Sequence, residues 1–290
     1  MDGGAESEQT ASAVIGGTGV VGSYIVGHLV RRGERVLALS RSLRQEGGVE
    51  WIRADLLKPD TLVLPAFSTL YCTADAVLLA DALPYLLNSG AKRLVAFSST
   101  SVLTKQDTEV DEEREMIRQL AEAERRIVAA CEQRQVGWTI LRPTLIYAEG
   151  RDANITPLSR LIGRFGFMPL VGGAPGLRQP VHAEDLAIGA IAAAASQVAV
   201  NKFYSLPGAE ILSYREMIGR VFDALHLPRR LISVPPWLWR AGFGLTKPLF
   251  PGSNVAMGIR MMKDMTFDAT PAVRDFGWNP RVFRPIFPAT

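Results

Sequence analysis

Apolar and polar positions along the first half of the chain predict a regular alternation of strands and helices. Short, unbroken apolar runs are typical of strands that are buried on both faces of a parallel sheet. Mainly apolar strand candidates of this kind occur at residues 12–15, 35–39, 70–73, 93–97 and 139–141, and residues 51–56 form a further candidate that ends in an acidic residue. Stretches with apolar residues at helical spacing lie between them, at 23–32, 75–87 and 111–135. This βα alternation predicts an α/β fold built on a doubly wound parallel sheet.

The pattern changes after Gly150. Residues 151–176 are rich in glycine, proline and aromatic residues, which indicates loops. The alternation then resumes, with a predicted helix at 182–196 and a predicted strand at 202–206. We therefore expect the chain to leave the sheet after residue 150 and to return to it.

Two further helix starts are predicted from capping residues. Ser213 and Glu216 have the spacing of a capping box, and the helix that they start is expected to end at Leu225. Thr270 is a typical N-cap residue, and Pro271 follows it at the first helical position.

A glycine-rich segment follows the first predicted strand directly and reads Val14-Ile15-Gly16-Gly17-Thr18-Gly19-Val20-Val21-Gly22. A strand, a glycine turn and a helix in that order form the context of a phosphate-binding loop, although an ordinary tight turn is the alternative. A side chain at Gly17 or Gly19 would keep a pyrophosphate away from the backbone, and one at Gly22 would push the helix off the strand. The helix N-terminus offers unpaired N–H groups and partial positive charge. The segment therefore predicts a dinucleotide-binding site.

The end of the second predicted strand bears on the choice of cofactor. It reads Ser40-Arg41-Ser42, where an NAD site would place an acidic residue against the ribose 2′-hydroxyl. A hydroxyl and a cation suit a 2′-phosphate, so we expect NADP in preference to NAD, unless Arg41 is a solvated loop residue. Asp55 ends the third predicted strand and either accepts a hydrogen bond from the adenine or caps the next turn.

Composition narrows the class of protein. The chain has 290 residues, a hydrophobic fraction of 48% and a net charge of only +3, so we expect a soluble α/β protein that does not bind nucleic acid. The two cysteines, Cys72 and Cys131, lie far apart in apolar segments and predict reduced thiols in a cytoplasmic protein. Three scattered histidines make a metal site unexpected. No run is long enough for a transmembrane helix.

The motifs together resemble the extended and atypical short-chain dehydrogenase/reductases, the NAD-dependent epimerase/dehydratase group that acts on nucleotide sugars. The resemblance extends over about residues 12 to 280 and implies a Rossmann-type sheet with a smaller C-terminal substrate lobe. Besides the glycine segment, it rests on Ala54-Asp55, Phe97-Ser98-Ser99-Thr100-Ser101, Leu141-Arg142-Pro143-Thr144-Leu145-Ile146-Tyr147, Gln179-Pro180-Val181-His182-Ala183-Glu184-Asp185-Leu186-Ala187 and Phe276-Gly277-Trp278-Asn279-Pro280.

The resemblance and the change of pattern give a domain organisation. We expect a flexible tail at 1–11 and a dinucleotide-binding domain at 12–150, to which the chain returns at about 180–206. The smaller lobe would comprise 151–179 and 207–290. We also assign Leu56, Ser98 and Pro143 to the cofactor site.

The chain departs from the family at the residues that transfer protons. The family pattern Tyr-x-x-x-Lys-x-x-x-Glu aligns with Met116, Leu120 and Glu124, and none of the six tyrosines has a lysine four residues later. Methionine cannot exchange a proton and leucine carries no charge, so the acid–base site is atypical. The asparagine that such enzymes often use to hold the substrate diphosphate aligns with Leu145.

Other polar residues are candidates for the site. The catalytic hydroxyl of the family aligns with Ser99, or with Thr100 if the alignment shifts by one residue, although hydroxyls also cap turns after strands. Tyr147 is a further catalytic candidate or a packed strand end. Arg178, His182 and Arg260 are candidates for substrate binding, with a turn residue and a surface helix residue as the alternatives for His182 and Arg260. Lesser candidates are Lys105, Glu113, Arg114 and Glu115.

An aromatic segment at 235–245 contains Trp237, Trp239 and Phe243. It predicts either the core of the lobe or a surface for lipid or a partner, because Arg240 and Lys247 lie among or beside the aromatic residues. Peripheral membrane contact therefore stays open, and so does a homodimer through the helix at 111–135.

Two functions fit these observations. The first is an NAD(P)-dependent oxidoreductase or epimerase with a rebuilt acid–base site, acting on a nucleotide-linked or lipid-linked sugar. The second is a catalytically silent protein that binds NADP(H) as a sensor or structural subunit.

Overall fold

The computed structural model describes residues 11–42, 44, 47–104, 111–246 and 255–287, without the side chains of 242–246 and 255–257. All but the last residue of the predicted tail, and also Lys105 and Lys247, lie outside this part of the chain. Within it, no helix is both long and apolar enough to cross a bilayer.

The strands of the described chain include all seven that the sequence predicts. They are β1 (Ser12–Ile15), β2 (Val36–Ser40), β3 (Val49–Arg53), β4 (Thr69–Cys72), β5 (Arg93–Phe97), β6 (Gly137–Pro143), β7 (Ile146–Tyr147), β8 (Met168–Val171), β9 (Leu177–Arg178), β10 (Val181–His182), β11 (Lys202–Leu206), β12 (Leu212–Ser213) and β13 (Leu231–Val234).

The helices alternate with the strands of the first half and dominate the second. They are α1 (Val20–Arg31), α2 (Ala76–Leu86), α3 (Ser101–Thr104), α4 (Asp111–Gln133), α5 (Ile155–Phe165), α6 (Ala183–Ala195), α7 (Tyr214–Ala224), α8 (Pro236–Thr246), α9 (Val255–Arg260) and α10 (Thr270–Phe276).

The central sheet confirms the predicted α/β class. Its order is β11-β6-β5-β4-β1-β2-β3, and every neighbouring pair is parallel. One face packs against α2 and α4, and the other packs against α1 and α6. The strand order reverses between β1 and β4, which is where ligands bind in sheets of this kind.

A third apolar cluster lies away from the sheet and forms the core of what we call the C-terminal lobe, built from α5, α7, β8, β13 and α9. β8 pairs in parallel with β13, and α5 packs against α7. The chain returns to the sheet between these parts, because β11 pairs with β6.

Two local expectations were wrong. The glycine- and proline-rich stretch after Gly150 contains the amphipathic helix α5, whose start is fixed by Asp152 rather than by a serine or threonine cap. α10 starts one residue earlier than predicted, because Asp268 accepts a hydrogen bond from the backbone N–H of Thr270 at 2.8 Å and Ala269 occupies the N-cap position.

Candidate functional site

The glycine turn is tightly closed at the carboxyl end of β1. Gly16 has a φ of +77°, and the N–H of Gly19 donates to its carbonyl oxygen at 2.8 Å. A Cβ on Gly22 would lie 2.1 Å from that same oxygen, and one on Gly16 would lie 2.6 Å from Oγ1 of Thr73. Glycine is therefore required at Gly22, because α1 approaches the glycine turn too closely for a side chain, and at Gly16, because its φ lies in the left-handed region.

Gly17 acts differently from the expectation. It is buried, and its Cβ would face Cγ2 of Val26 at 3.3 Å and the side chain of Ala38, so it permits packing rather than access to a ligand. Gly19 is exposed and stands at the N-cap of α1, where no side chain caps the helix. The N–H groups of the first turn, at Val20 and Val21, are therefore those available to a phosphate.

A cavity of about 340 Å³ lies at the ends of β1, β2 and β3. It is lined by Ile15, Gly16, Thr18, Leu39, Ser40, Arg41, Ser42, Arg44, Ala54, Asp55, Leu56, Leu57, Ala74 and Leu78. The exposed Arg41 is on its wall, whereas Oδ1 of Asp55 accepts from the N–H of Leu57 at 3.0 Å. Asp55 thus caps the following turn, as one interpretation expected. It also lines the cavity, where the other interpretation places the adenine.

A second cavity of about 380 Å³ continues along the carboxyl edge of the sheet. It is lined by Val21, Thr73, Ala74, Asp75, Ala76, Phe97, Ser98, Ser99, Leu120, Pro143 and Ile146. Oγ of Ser98 is buried and has no hydrogen-bond partner within the described part of the chain. A buried hydroxyl without a partner is costly, so this atom fits the polar group of a bound ligand. The glycine turn, the uncapped α1 and this hydroxyl together suit a nicotinamide dinucleotide.

A third cavity of about 500 Å³ opens toward the C-terminal lobe. Its lining includes four residues that also line the second cavity, namely Ser98, Ser99, Pro143 and Ile146. The remaining lining residues are Thr100, Ser101, Thr144, Leu145, Ala153, Asn154, Leu158, Arg178, Gln179, Tyr214, Arg260, Met265 and Phe267. A ligand in the third cavity, the substrate cleft, would therefore contact the same wall as one in the second.

The two candidate hydroxyls at this wall differ in their hydrogen bonds. Thr100 is buried, and its Oγ1 donates to the carbonyl oxygen of Pro143 at 3.0 Å, which uses its only proton. Oγ of Ser99 accepts from the N–H of Ser101 at 3.1 Å. Its own proton remains available, and Ser99 borders both cavities, so Ser99 is the better-placed hydroxyl.

Arg178 is a buried cation on the lobe side of the substrate cleft. Its guanidinium donates to the carbonyl oxygens of Leu177, Lys263 and Arg260 at 2.6–2.7 Å and lies over the ring of Tyr214. No carboxylate of the described residues forms an ion pair with it. Burial lowers the pKa of Arg178. A buried arginine held only by carbonyl oxygens favours an anionic ligand.

Arg260 lines the same cleft as Arg178, and its backbone carbonyl accepts a hydrogen bond from that arginine. Its Nη1 donates to both carboxylate oxygens of Glu113 at 2.7 Å, so it is neither a free phosphate ligand nor a simple surface residue. The ion pair joins α4 to the C-terminal lobe and is largely screened from solvent.

Tyr147 is not placed for catalysis. Its side chain is 1% exposed and packs edge-on against the rings of His182 and Phe283, outside the cavities described above. Burial raises the pKa of its phenol further above the usual range. The expectation of a catalytic role was therefore wrong, and the alternative of a packed strand end describes its position.

His182 is likewise a structural residue and not a substrate ligand. It is buried at the N-cap of α6, where Nδ1 accepts from the N–H of Glu184 at 3.1 Å. Nε2 lies 3.4 Å from Oε2 of Glu149. Burial opposes ionisation of Glu149, but hydrogen bonds from His182 and from the backbone N–H groups of Glu149 and Ile286 together outweigh burial and lower the pKa of that carboxyl. Both ring nitrogens are thus engaged within the protein.

The positions aligned with the missing family pair have separate environments. Leu120 lines the second cavity, whereas Met116 is 57% exposed and borders none of the three cavities. Glu124, the position that matches the family, is buried and accepts two hydrogen bonds from Arg142. The wall of the second cavity therefore has an apolar side chain where the family has an ammonium group.

Sequence reasoning missed Thr73, whose Oγ1 donates toward the carbonyl oxygens of Ile15 and Gly16 at 3.2 Å and borders the second cavity. Its position directly after β4, next to β1, was a usable signal. It also missed Tyr214 beneath Arg178, for which the sequence holds no signal.

Comparison with known proteins adds a family and two relatives. Residues 16–160 match the family described as NAD(P)H-binding. A UDP-glucose 4-epimerase from Vibrio cholerae is 23% identical over an alignment of 299 positions, which covers 91% of this chain and 89% of that protein. A mitochondrial NADH dehydrogenase [ubiquinone] 1 alpha subcomplex subunit 9 from Arabidopsis thaliana is 31% identical over 122 residues, 41% of this chain and 29% of that one.

Solved structures agree on the fold. MoeE5 in complex with UDP-glucuronic acid and NAD matches with a TM-score of 0.71 at 18% identity, over 94% of each chain. The chain therefore has the fold of epimerase-type structures, as the resemblance implied.

Proposed function

The chain belongs to the NAD(P)H-binding family, and from this premise we propose that it is an NAD(P)-dependent oxidoreductase or epimerase that acts on a sugar carrying a diphosphate. The observation that carries the proposal is a shared wall between the second cavity and the substrate cleft, which consists of Ser98, Ser99, Pro143 and Ile146. A hydride can pass only between groups that lie side by side, and this wall brings the two ligands together.

For the cofactor we propose NADP in preference to NAD. The turn at Gly16–Gly22 and the first turn of α1 would bind the pyrophosphate, and Arg41 would bind the 2′-phosphate. When bound, the nicotinamide supplies a hydride acceptor or donor. The orphaned Ser98 hydroxyl would hold it in the second cavity.

For the substrate we propose a nucleotide diphosphate sugar, with a lipid-linked sugar diphosphate as the alternative. Arg178 supports this class, because its buried guanidinium lacks a carboxylate partner within the described chain and borders the cleft. Two matched proteins agree with it: one is named a UDP-glucose epimerase and the other was solved with UDP-glucuronic acid and NAD.

Ser99 is the proposed hydrogen-bonding group at the reacting hydroxyl of the substrate. Without tyrosine and lysine, proton transfer must pass through this hydroxyl and water. Loss of a positioned acid–base group typically costs about 10²–10⁴-fold in rate, so we expect slow turnover.

The test begins by measuring the binding of NADPH through the change in protein fluorescence. A panel of UDP-sugars is then added to the complex, with the nicotinamide absorbance and the sugar products as readouts. We expect turnover that falls at least about 100-fold in Ser99→Ala and changes little in Ser196→Ala, a hydroxyl far from the cleft that donates to the carbonyl of Asp275. Full activity of Ser99→Ala would contradict the assignment.

A catalytically silent NADP(H)-binding protein is the second candidate. The position of Leu120 favours it, because an apolar side chain lines the cavity where the family places its lysine. The relative named as a subunit of NADH dehydrogenase is compatible with it. Tight NADPH binding without turnover on the whole panel would select this function.

We also propose a cellular location and an assembly. The two cysteines are free and buried, and burial raises the pKa of each thiol to about 12, which suits a reducing compartment such as the cytoplasm. A homodimer through α4 stays a prediction that sedimentation velocity can test.

A further inference from the structure

The distribution of charge along the chain is strongly uneven. Residues 153–183 and 224–263 contain no aspartate or glutamate, yet they hold nine lysines and arginines. The fold brings the two stretches together, because β8 of the first pairs with β13 of the second and α9 packs on β8. The C-terminal lobe is therefore built largely from segments without negative charge.

Exposed apolar side chains are concentrated on the same lobe. We call them the aromatic patch, and its members are Phe165, Phe167, Ile232, Trp237 and Leu238. Phe167 and Ile232 share one face of the β8–β13 pair, since Ile232 lies opposite Pro169 and side chains two residues apart point the same way. The rings of Phe165 and Phe167 are 6.3 Å apart.

The patch continues into α8, which begins two residues after β13 ends. Trp239 packs into the core of the lobe, whereas Trp237 in the same turn is 70% exposed. Leu238 is exposed beside it. The exposed tryptophan, phenylalanine and aliphatic side chains of the lobe indicate a contact with something apolar.

Cations that form no ion pair with any carboxylate of the described residues adjoin the patch. Arg164 lies over the ring of Phe165 at 5.2 Å, and Arg160 is one helical turn away on the same face of α5. Arg230 is exposed next to Phe167, where its carbonyl accepts from the N–H of Met168. In contrast, the exposed arginines of α4 are paired with acidic residues.

We propose that the aromatic patch and its cations bind the surface of a bilayer that contains anionic lipids. Tryptophan and phenylalanine enter the boundary between headgroups and acyl chains, and arginines bind the lipid phosphates. Charge complementarity carries this choice, because the exposed Arg160, Arg164 and Arg230 form no ion pair within the described chain and would attract negative headgroups. The aliphatic side chains of Ile232 and Leu238 favour lipid over nucleic acid.

The test is co-sedimentation of the full chain with vesicles of phosphatidylcholine, alone or mixed with phosphatidylglycerol. We expect binding only to the mixed vesicles, and weaker binding at high salt, where surface charges are screened. Binding to double-stranded DNA but not to vesicles would overturn the proposal. The measurement does not involve NADPH or turnover. A negative result would therefore reject membrane binding without bearing on the proposed enzymatic function.

A single and a double variant test whether the aromatic patch and its cations form the surface that binds vesicles. Trp237→Ala should weaken vesicle binding at least about tenfold through lost apolar contact. Arg164→Gln with Arg230→Gln should weaken it about 25-fold, at about fivefold for each cation near the membrane. The matched controls are Ile211→Ala, an exposed isoleucine outside the patch, and Arg31→Gln with Arg53→Gln on the first domain.

All variants should retain NADPH binding, which shows that they are folded. An equal loss of vesicle binding in the control variants would overturn the assignment of the surface. Unchanged vesicle binding by the patch variants would overturn it as well.

Discussion

Glu113 and Arg260 are 147 residues apart in the chain and form an ion pair through both carboxylate oxygens, each 2.7 Å from Nη1. The pair connects the first turn of α4 with the end of α9 at the substrate cleft. A substrate diphosphate that used Arg260 would have to compete with this carboxylate.

Glu113→Gln should therefore tighten the binding of UDP-sugars, by about three- to tenfold, because Arg260 would no longer be neutralised. Isothermal titration calorimetry at two salt concentrations measures the effect. Glu112→Gln is the control, since it removes a neighbouring exposed charge from the same turn. Weaker binding in Glu113→Gln would mean that the carboxylate holds Arg260 in position for the substrate.

A cation in the second cavity should raise activity. Leu120→Lys would place an ammonium group there, where it could assist the Ser99 hydroxyl, and should increase turnover of a UDP-sugar by about tenfold or more. Met116→Tyr should change little, alone or added to Leu120→Lys, because this position is exposed outside the cavity. Steady-state kinetics compare the three variants. A Leu120→Lys variant no faster than the parent chain would show that proton transfer does not limit the rate.

The close approach of α1 to the glycine turn predicts opposite effects for two glycines of one helix. Gly22→Ala should abolish NADPH binding and destabilise the fold by about 2–4 kcal/mol, since its Cβ would lie 2.1 Å from the carbonyl oxygen of Gly16. Gly27→Ala meets no atom nearer than 3.5 Å and should stabilise the protein by about 0.5–1 kcal/mol. Urea unfolding and NADPH titration test both.

The preference for NADP rests on Arg41. Arg41→Ala should weaken NADPH binding about tenfold and leave NADH binding within about twofold, because only the 2′-phosphate would lose a charge-assisted hydrogen bond. Arg53→Ala, an exposed arginine of β3 outside the lining of the first cavity, is the control. Equal losses for both nucleotides would remove the argument for NADP.

Asp152 predicts a dependence of stability on pH. Burial alone would raise its pKa, but hydrogen bonds from Thr156 and from the N–H groups of Ala148 and Ile155 outweigh burial and lower it. A lowered pKa stabilises the fold above the unfolded-state pKa of about 3.9, and this contribution is lost as pH falls through the folded-state value. Asp152→Asn should cost about 2 kcal/mol at neutral pH.

Below about pH 4 the difference between Asp152→Asn and the parent chain should begin to shrink, and it should be smallest below the folded-state pKa of Asp152, where both side chains are uncharged. Urea unfolding at several pH values measures it. A difference that stays constant down to acidic pH would show that shape, and not charge, makes Asp152 important.

The strands and the glycine turn were predictable because their signals are local. β1 and β5 have the bounds that the apolar runs predicted, and β11 does as well. The start of α5 was missed because its cap is made by Asp152, which also binds the N–H of Ala148 in the preceding turn. The many glycines and prolines of this stretch predicted loops, and the capping position of Asp152 was therefore not recognised as a helix start.

Much of the lining of the candidate site was predictable from the sequence, including Arg178 and Arg260 at the substrate cleft. Ser98, Ser99 and Pro143 line the two cavities because parallel strands end at one edge of the sheet, which the strand pattern implies. Tyr147 and His182 occur in motifs at the same edge, yet their side chains turn into the protein and pack against each other. The motif gives the position of a backbone segment but not the direction of the side chain.

The sequence by itself determined that a strand, a glycine turn and a helix follow one another, and that no tyrosine–lysine pair exists, because both are properties of neighbouring residues. Only the tertiary structure decided that Leu120 lines the second cavity, that Arg178 is buried without a carboxylate partner in the described chain and that Arg260 pairs with Glu113. These relations depend on how the sheet and the lobe pack together, and contacts between residues distant in the chain leave no periodic signal in it.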